Sequence, residues 1–189
     1  MTKIGVSGNV GSFSEEAAMH YAKENKIKDY EIVYLISVDK VLTSLNDGSI
    51  NLGIFPIENS NGGVVQSIFF IKMNFKYRIL LSFFIINRLF KIDVRHCLHV
   101  KPGTKKGDIK KISSHPQALK QCRMYLKRKW GDRELEEYED TAQAAKDLGS
   151  GKLDASVAVI APKRCAELYG LEVMEEAIQD LKFNFTTLY

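Results

Sequence analysis

Short apolar runs alternate along this chain with stretches of helical spacing. The strand-like runs are Lys3–Val6, Glu31–Leu35, Leu52–Ile57, His96–Val100, Ile109–Ser113, Glu134–Tyr138 and Ala155–Ile160. Helical spacing marks Ser14–Lys23, Val38–Leu45, Gly63–Lys72, Gln117–Lys129, Ala142–Leu148 and Lys163–Leu168. Such alternation predicts a parallel α/β architecture. Several helix ends are signposted. Ser12 with Glu15 predicts a capping box, Thr141 precedes the helical run Ala142–Ala145, and Gly170 reads as a C-terminal stop. Pro116 fits a first helical turn, where its missing N–H would be unbonded in any case. The clearest loop is Pro102–Gly107, and a break near residues 90–96 predicts two α/β lobes.

Composition adds exclusions. The 189 residues are 45% hydrophobic and 26% charged, ordinary for a soluble globular protein with a real core. A net charge of +4 is mild and spread along the sequence, so nucleic acid is not an expected partner. The apolar segment Val64–Phe90 is interrupted by Lys72, Lys76, Arg78 and Arg88. Its longest uncharged run, Ile79–Asn87, is about half of what a membrane-spanning helix needs, so no membrane partner is expected. Cys97, Cys122 and Cys165 form no Cys-x-x-Cys motif and predict reduced thiols in a cytoplasmic protein. The four histidines lack zinc-type spacing, so no metal is expected.

Three junctions carry candidate chemistry. Ser114, His115 and Gln117 stand where a strand passes into a helix, and the helix start would suit a carboxylate. Plain capping is the structural alternative there. The turn Gly5–Ala18 joins the first strand to the first helix, with Ser12 and Phe13 at the helix start; it is neither a dinucleotide fingerprint nor a Walker loop. Third, an apolar strand ends in Glu58, Asn59 and Ser60, and polar groups at such ends face the ligand crevice of α/β sheets.

The string Ser114-His115-Pro116-Gln117-Ala118-Leu119 resembles the signature of prephenate dehydratases, lyases that form phenylpyruvate on the route to phenylalanine. Other segments are similar to the same family. Gly11–Ala18 resembles its opening motif, with Asn9 for the usual proline and Ser12 for the usual threonine. Pro56–Val65 resembles Pro-x-Glu-Asn-Ser-x-x-Gly-x-Val, and Thr141–Ala145 matches a further segment. Ile178–Tyr189 resembles the closing motif, with Thr186 on the family's threonine, Thr187 in place of arginine and Leu188 in place of phenylalanine. Residues 69–90 read as an insertion or an altered strand.

The resemblance implies two α/β lobes flanking a cleft, similar to periplasmic binding proteins. Lobe one would hold about 1–90 plus 178–189 and lobe two about 91–177, with no C-terminal ACT domain. It implies decarboxylating dehydration of prephenate without a cofactor, with Thr186 assisting the leaving hydroxyl. Ser12, Phe13, Glu58, Asn59, Ser60, Ser114, His115, Gln117, Thr141 and Thr187 would contact the substrate. Glu58 is open between an acid and a hydrogen-bond acceptor, His115 between a proton source and a cap. The alternatives are dehydration of arogenate, or a degenerate two-lobed protein that binds small anions without turnover. A homodimer is left open.

Overall fold

Two buried apolar runs, Ile4–Val6 and Val157–Ala161, lie at the centres of a three-stranded and a five-stranded sheet. The structure, a computed structural model, describes residues 1–61, 63–64, 88–131 and 133–188, and elements are numbered over these. The chain divides into two compact units, Met1–Asp93 with Phe185–Tyr189, and Val94–Asn184. Residues 178–184, expected with the first lobe, hydrogen-bond within the second unit. The Ile178 N–H donates to His96 O at 3.0 Å and the Asp180 N–H to Gln121 O at 2.8 Å.

In the first unit β1 (Thr2–Val6) lies between β2 (Tyr30–Tyr34) and β3 (Leu52–Ile54), all parallel. The helix α1 (Phe13–Glu24) packs Ala17, Ala18 and Ala22 on Ile4 and Val6. A separate cluster joins Val38, Val41 and Leu42 of α2 (Val38–Asn46) to Ile50 and Phe55. The expected strand Leu52–Ile57 is interrupted at Phe55. This side chain is buried in the α2 cluster, and the next residues form β4 (Pro56–Asn59) in a different sheet. That sheet is antiparallel, in the order β5 (Gly63–Val64), β4, β12 (Phe185–Leu188), β6 (Phe90–Asp93). Gly63–Val64 is therefore strand where a helix was expected; the rest of that helix, and most of 69–90, lie outside the described residues.

The second unit has one five-stranded sheet. Its order is β11 (Glu172–Glu175), β7 (His96–Val100), β10 (Val157–Pro162), β8 (Lys111–Ser114), β9 (Glu134–Glu137). The pairs β10–β8 and β8–β9 are parallel, whereas β7 runs antiparallel to both β10 and β11. The parallel expectation thus holds for β1–β3 and for β10–β8–β9, and fails for β7, β11 and the four-stranded sheet, whose pairs are antiparallel. β10 is buried along its whole length because both sheet faces are covered. Ala158 and Ile160 pack with α3 (Pro116–Gln121) and α4 (Arg123–Trp130), while Val157, Val159 and Ala161 pack with α5 (Thr141–Gly149) and α6 (Arg164–Tyr169).

The single helix expected over Gln117–Lys129 breaks at Cys122 (φ −109°, ψ 12°). The Asp180 carboxylate caps the second piece, accepting from the Met124 and Tyr125 N–H groups at 2.8 Å each. Gly170 ends α6 in the left-handed region (φ 64°, ψ 37°), as its position predicts. All three cysteines are buried and none is in a disulfide. Among the described residues no helix is long and apolar enough to cross a membrane.

Candidate active site

In the first unit, β4 and β12 bring Asn59, Ser60 and Thr186 together. Thr186 pairs across the sheet with Asn59 and Ile92, and the Asn59 Nδ2 group donates to Thr186 Oγ1 at 3.0 Å. The same nitrogen donates to Phe185 O at 3.2 Å, and Asn59 Oδ1 accepts from the Asn61 N–H at 2.9 Å. Asn59 is buried, so this amide is held from both ends. Ser60 extends the pairing past the strand: its N–H donates to Phe185 O at 2.8 Å and its Oγ accepts from the Phe185 N–H at 2.9 Å.

The pleat separates two expected site residues from this group. Thr187 pairs with Glu58 and Lys91, one position along from the Thr186–Asn59 row. Successive strand residues face opposite sides, and cross-strand partners share a side. Glu58 and Thr187 therefore lie on the face opposite Thr186, and Glu58 and Lys91 are exposed there. Ile92 on the Thr186 row packs against the cluster that holds Phe90 and Leu188.

At the start of α1, Ser12 Oγ accepts from the Glu15 N–H at 3.3 Å, which is half of the expected capping box. The other half is displaced by one residue. Glu15 Oε2 accepts from the Gly11 N–H at 2.8 Å, while the Ser12 N–H donates to Asn9 O at 3.0 Å. Glu15 is buried and also accepts from the Tyr34 hydroxyl at 2.5 Å. Gly8 lets this turn close, because a Cβ there would stand 2.4 Å from Ser12 Oγ. Phe13, the first residue of α1, is half-buried.

In the second unit, Ser114 is fully buried and its hydroxyl donates to Ile160 O at 2.6 Å. It locks the end of β8 to β10. His115 is the N-cap of α3, with Nδ1 accepting from the Gln117 N–H at 3.2 Å. The neutral ring then carries its proton on Nε2, which is the donor it can offer. The free N–H groups expected at this junction are taken: Pro116 has none, Gln117 uses His115 Nδ1, and Ala118 donates to His115 O at 2.9 Å. Thr141 is the first residue of α5 rather than its cap. Asp140 supplies the cap, accepting from the Gln143 N–H at 2.8 Å, since a carboxylate is the stronger acceptor of two adjacent candidates.

The sequence reading missed a polar network behind α5. Asp147 is buried and accepts from the Tyr138 hydroxyl, from Gln143 Nε2 at 2.9 Å and from Lys152 Nζ at 2.6 Å. Burial alone would raise its pKa, but these donors outweigh it and hold the carboxyl below its usual range. The Tyr138 N–H donates to Ser114 O at 2.9 Å, so the network reaches the strand end beside His115. The i, i+4 spacing of Gln143 and Asp147 was the available signal. A second buried cluster joins His96 Nε2 to Gln121 Oε1 at 2.6 Å, and Asn184 Nδ2 donates to the same oxygen at 3.1 Å. Burial lowers the pKa of His96, against the pull of Gln121, and that of His99. Among the described residues no group of three or more His, Cys, Asp or Glu is arranged to hold a metal ion.

The family model described as prephenate dehydratase matches residues 4–188. The prephenate dehydratase of Methanocaldococcus jannaschii is 35% identical over 176 residues, covering 93% of this chain and 59% of that protein. The chloroplastic arogenate dehydratase/prephenate dehydratase 1 of Arabidopsis thaliana is 33% identical over 185 residues, covering 97% of this chain and 43% of that protein. Among solved structures, the prephenate dehydratase of Arthrobacter aurescens, in complex with L-Phe, superposes with a TM-score of 0.79 at 25% identity. That match covers 99% of this chain and 60% of the other. The chain thus spans three fifths or less of the length of each of these relatives.

Proposed function

Because the chain belongs to the prephenate dehydratase family, we propose that it converts prephenate to phenylpyruvate, releasing carbon dioxide and water. The observation that carries this reading is the bond from Asn59 Nδ2 to Thr186 Oγ1, on the threonine that the family resemblance ties to dehydration. A hydroxyl that accepts a hydrogen bond donates its own proton more strongly. Thr186 is therefore a polarised donor, half-buried at the edge of an apolar cluster.

In the proposed reaction the bond to the ring carboxylate breaks and its electron pair moves into the ring. The ring's C–OH bond breaks at the opposite carbon, and the departing hydroxide takes a proton to become water. The substrate dianion leaves as the phenylpyruvate monoanion, so one proton is consumed. Thr186 donates a hydrogen bond to the departing oxygen, and His115 Nε2–H is the second donor we assign to the substrate. Asn59 orients Thr186, and Ser60 fixes the strand pairing behind it. Ser114 holds the strand end that presents His115. Ser12 shapes the turn before α1, and Phe13 and Thr141 open their helices as half-buried substrate contacts.

We place the protein in the cytoplasm, a reading supported by three buried cysteines outside any disulfide. Arogenate, which carries an amino group where prephenate has the side-chain keto oxygen, is the second substrate to test, given the plant relative. Purified chain is offered prephenate and arogenate in parallel, without added metal or nucleotide. Phenylpyruvate from prephenate supports the proposal; phenylalanine from arogenate alone replaces the substrate. Binding without product from either, in a folded sample, refutes catalysis.

A further inference from the structure

The proposed reaction assigns His115 and Thr141 to one substrate, yet they stand at the starts of different helices, α3 and α5. Tyr138 touches the supports of both. Its N–H donates to Ser114 O at 2.9 Å, on the residue before His115. Its hydroxyl donates to the Asp147 carboxylate of α5, and its ring packs against the cluster that holds Ala142, Ala145 and Leu148.

The connection from β9 to α5 closes on itself. Asp147 also accepts from Gln143 Nε2 at 2.9 Å, and the Gln143 N–H donates to Asp140 Oδ1 at 2.8 Å, beside Thr141. Tyr138, Asp140, Gln143 and Asp147 thus form one hydrogen-bonded circuit around the start of α5. Asp147 is buried, and its donors hold its carboxyl below the usual range. At neutral pH it is ionised and can only accept, so the Tyr138 hydroxyl must donate. Lys152 Nζ is the remaining partner at 2.6 Å, but it lies beyond the far end of α5 and is 68% exposed.

We propose that Tyr138 is a positioning residue for substrate binding, tying the strand end before His115 to the helix that starts at Thr141. This role rests on the dehydratase reading. Groups that hold a ligand need supporting hydrogen bonds to fix them within about 0.5 Å of working geometry. A single residue bonded through both its backbone and its hydroxyl supplies that constraint between β8 and α5. The substrate then meets two contacts already spaced, and less ordering is left to binding. Such a gain is shared by ground state and transition state, so its loss falls on KM and spares kcat.

Tyr138→Phe keeps the ring and removes the hydroxyl. In the full chain, KM for whichever of prephenate and arogenate is turned over should rise at least about fivefold, with kcat within about twofold of the parent. The melting temperature should fall by about 2–4 °C. The Thr141 methyl and His115 ring resonances should both shift. Lys152→Met removes another donor from the same carboxylate and should leave KM within about twofold and both resonances in place. The proposal is overturned by a KM in Tyr138→Phe equal to the parent's, by a loss confined to kcat, by unmoved resonances, or by an equal rise of KM in Lys152→Met. A parent that turns over neither substrate refutes the dehydratase reading and with it the role in binding, and the resonances then still decide whether the hydroxyl sets both positions.

Discussion

Replacing Thr186 by valine isolates the hydroxyl proposed to assist water loss. Valine keeps the β-branched shape that suits β12, so the strand and its apolar contacts are preserved. The structural cost falls on Asn59, whose Nδ2 loses the acceptor at 3.0 Å but keeps Phe185 O at 3.2 Å. One unmet N–H on a buried amide costs about 1 kcal/mol, or roughly 2–4 °C in Tm for a chain of this length. The kinetic cost is of another order. A positioned proton donor contributes about 10²–10⁴ in rate, which is roughly 3–5 kcal/mol of barrier. Single-turnover formation of phenylpyruvate, read beside a melting curve and a substrate-binding titration, separates the two. The expected result is a nearly normal melting temperature and affinity with a chemical step slowed at least about a hundredfold. Thr186→Ser, which keeps the hydroxyl, should stay within about tenfold of the parent. A single-turnover rate in Thr186→Val close to the parent would falsify the assignment of this hydroxyl.

Thr187→Arg, which restores the family's arginine, should change turnover by less than about twofold, because the side chain joins Glu58 and Lys91 on the face away from Thr186; steady-state kinetics tests this. Gly8→Ala places a Cβ at 2.4 Å from Ser12 Oγ and should break the α1 cap, costing about 1 kcal/mol in urea unfolding. Asp147→Ala leaves Tyr138 and Gln143 without their shared acceptor and should lower Tm by about 5 °C, with Lys152, already largely exposed, returning to water. Burial holds His96 and His99 below the ordinary histidine pKa of 6.5, so the folded state prefers both neutral. Their contribution is complete above that pH and is lost as pH falls from it toward the folded values, by up to about 1.4 kcal/mol per pH unit for each. Urea midpoints at pH 7.5 and pH 5 should show this slope, and a flat profile counts against it.

Much of the second unit was legible because its signals are local. The run at β10 is apolar at every position, and β7 spans the expected His96–Val100. His115 and Pro116 open α3 as their order predicts. What was not legible depends on residues far apart in sequence. The break at Cys122 goes with the Asp180 carboxylate, which caps α4 from more than 50 positions away. The antiparallel sheet of the first unit pairs Asn59 with Thr186 across 127 positions, and each of β4, β6 and β12 has only four residues. Strands that short carry too little alternation to set a register, so the division of Glu58 and Thr187 from Asn59 and Thr186 emerges only from the pairing itself.

That same distinction changes how the proposed substrate would be held. Helix starts are visible in a sequence, and each suggests a place for a carboxylate. Whether the place is already occupied is a tertiary fact. Glu15 closes the turn before α1, Asp140 caps α5 and Asp180 caps α4, so each of these starts already has a carboxylate of the chain itself. The start of α3 is taken by His115, and the helix behind it has only six residues and a correspondingly short dipole. A substrate anion at any of these positions would have to displace an internal hydrogen bond, which offsets much of the attraction. Donors that need no such exchange are side chains: the Thr186 hydroxyl, polarised by Asn59, and His115 Nε2–H, oriented by Gln117. For the proposed reaction the weight of recognition therefore moves from helix dipoles to a few oriented side-chain donors. The Thr186 donor is assigned to the departing oxygen, where negative charge develops only as the bond breaks, so its loss is expected to act on the chemical step more than on ground-state binding.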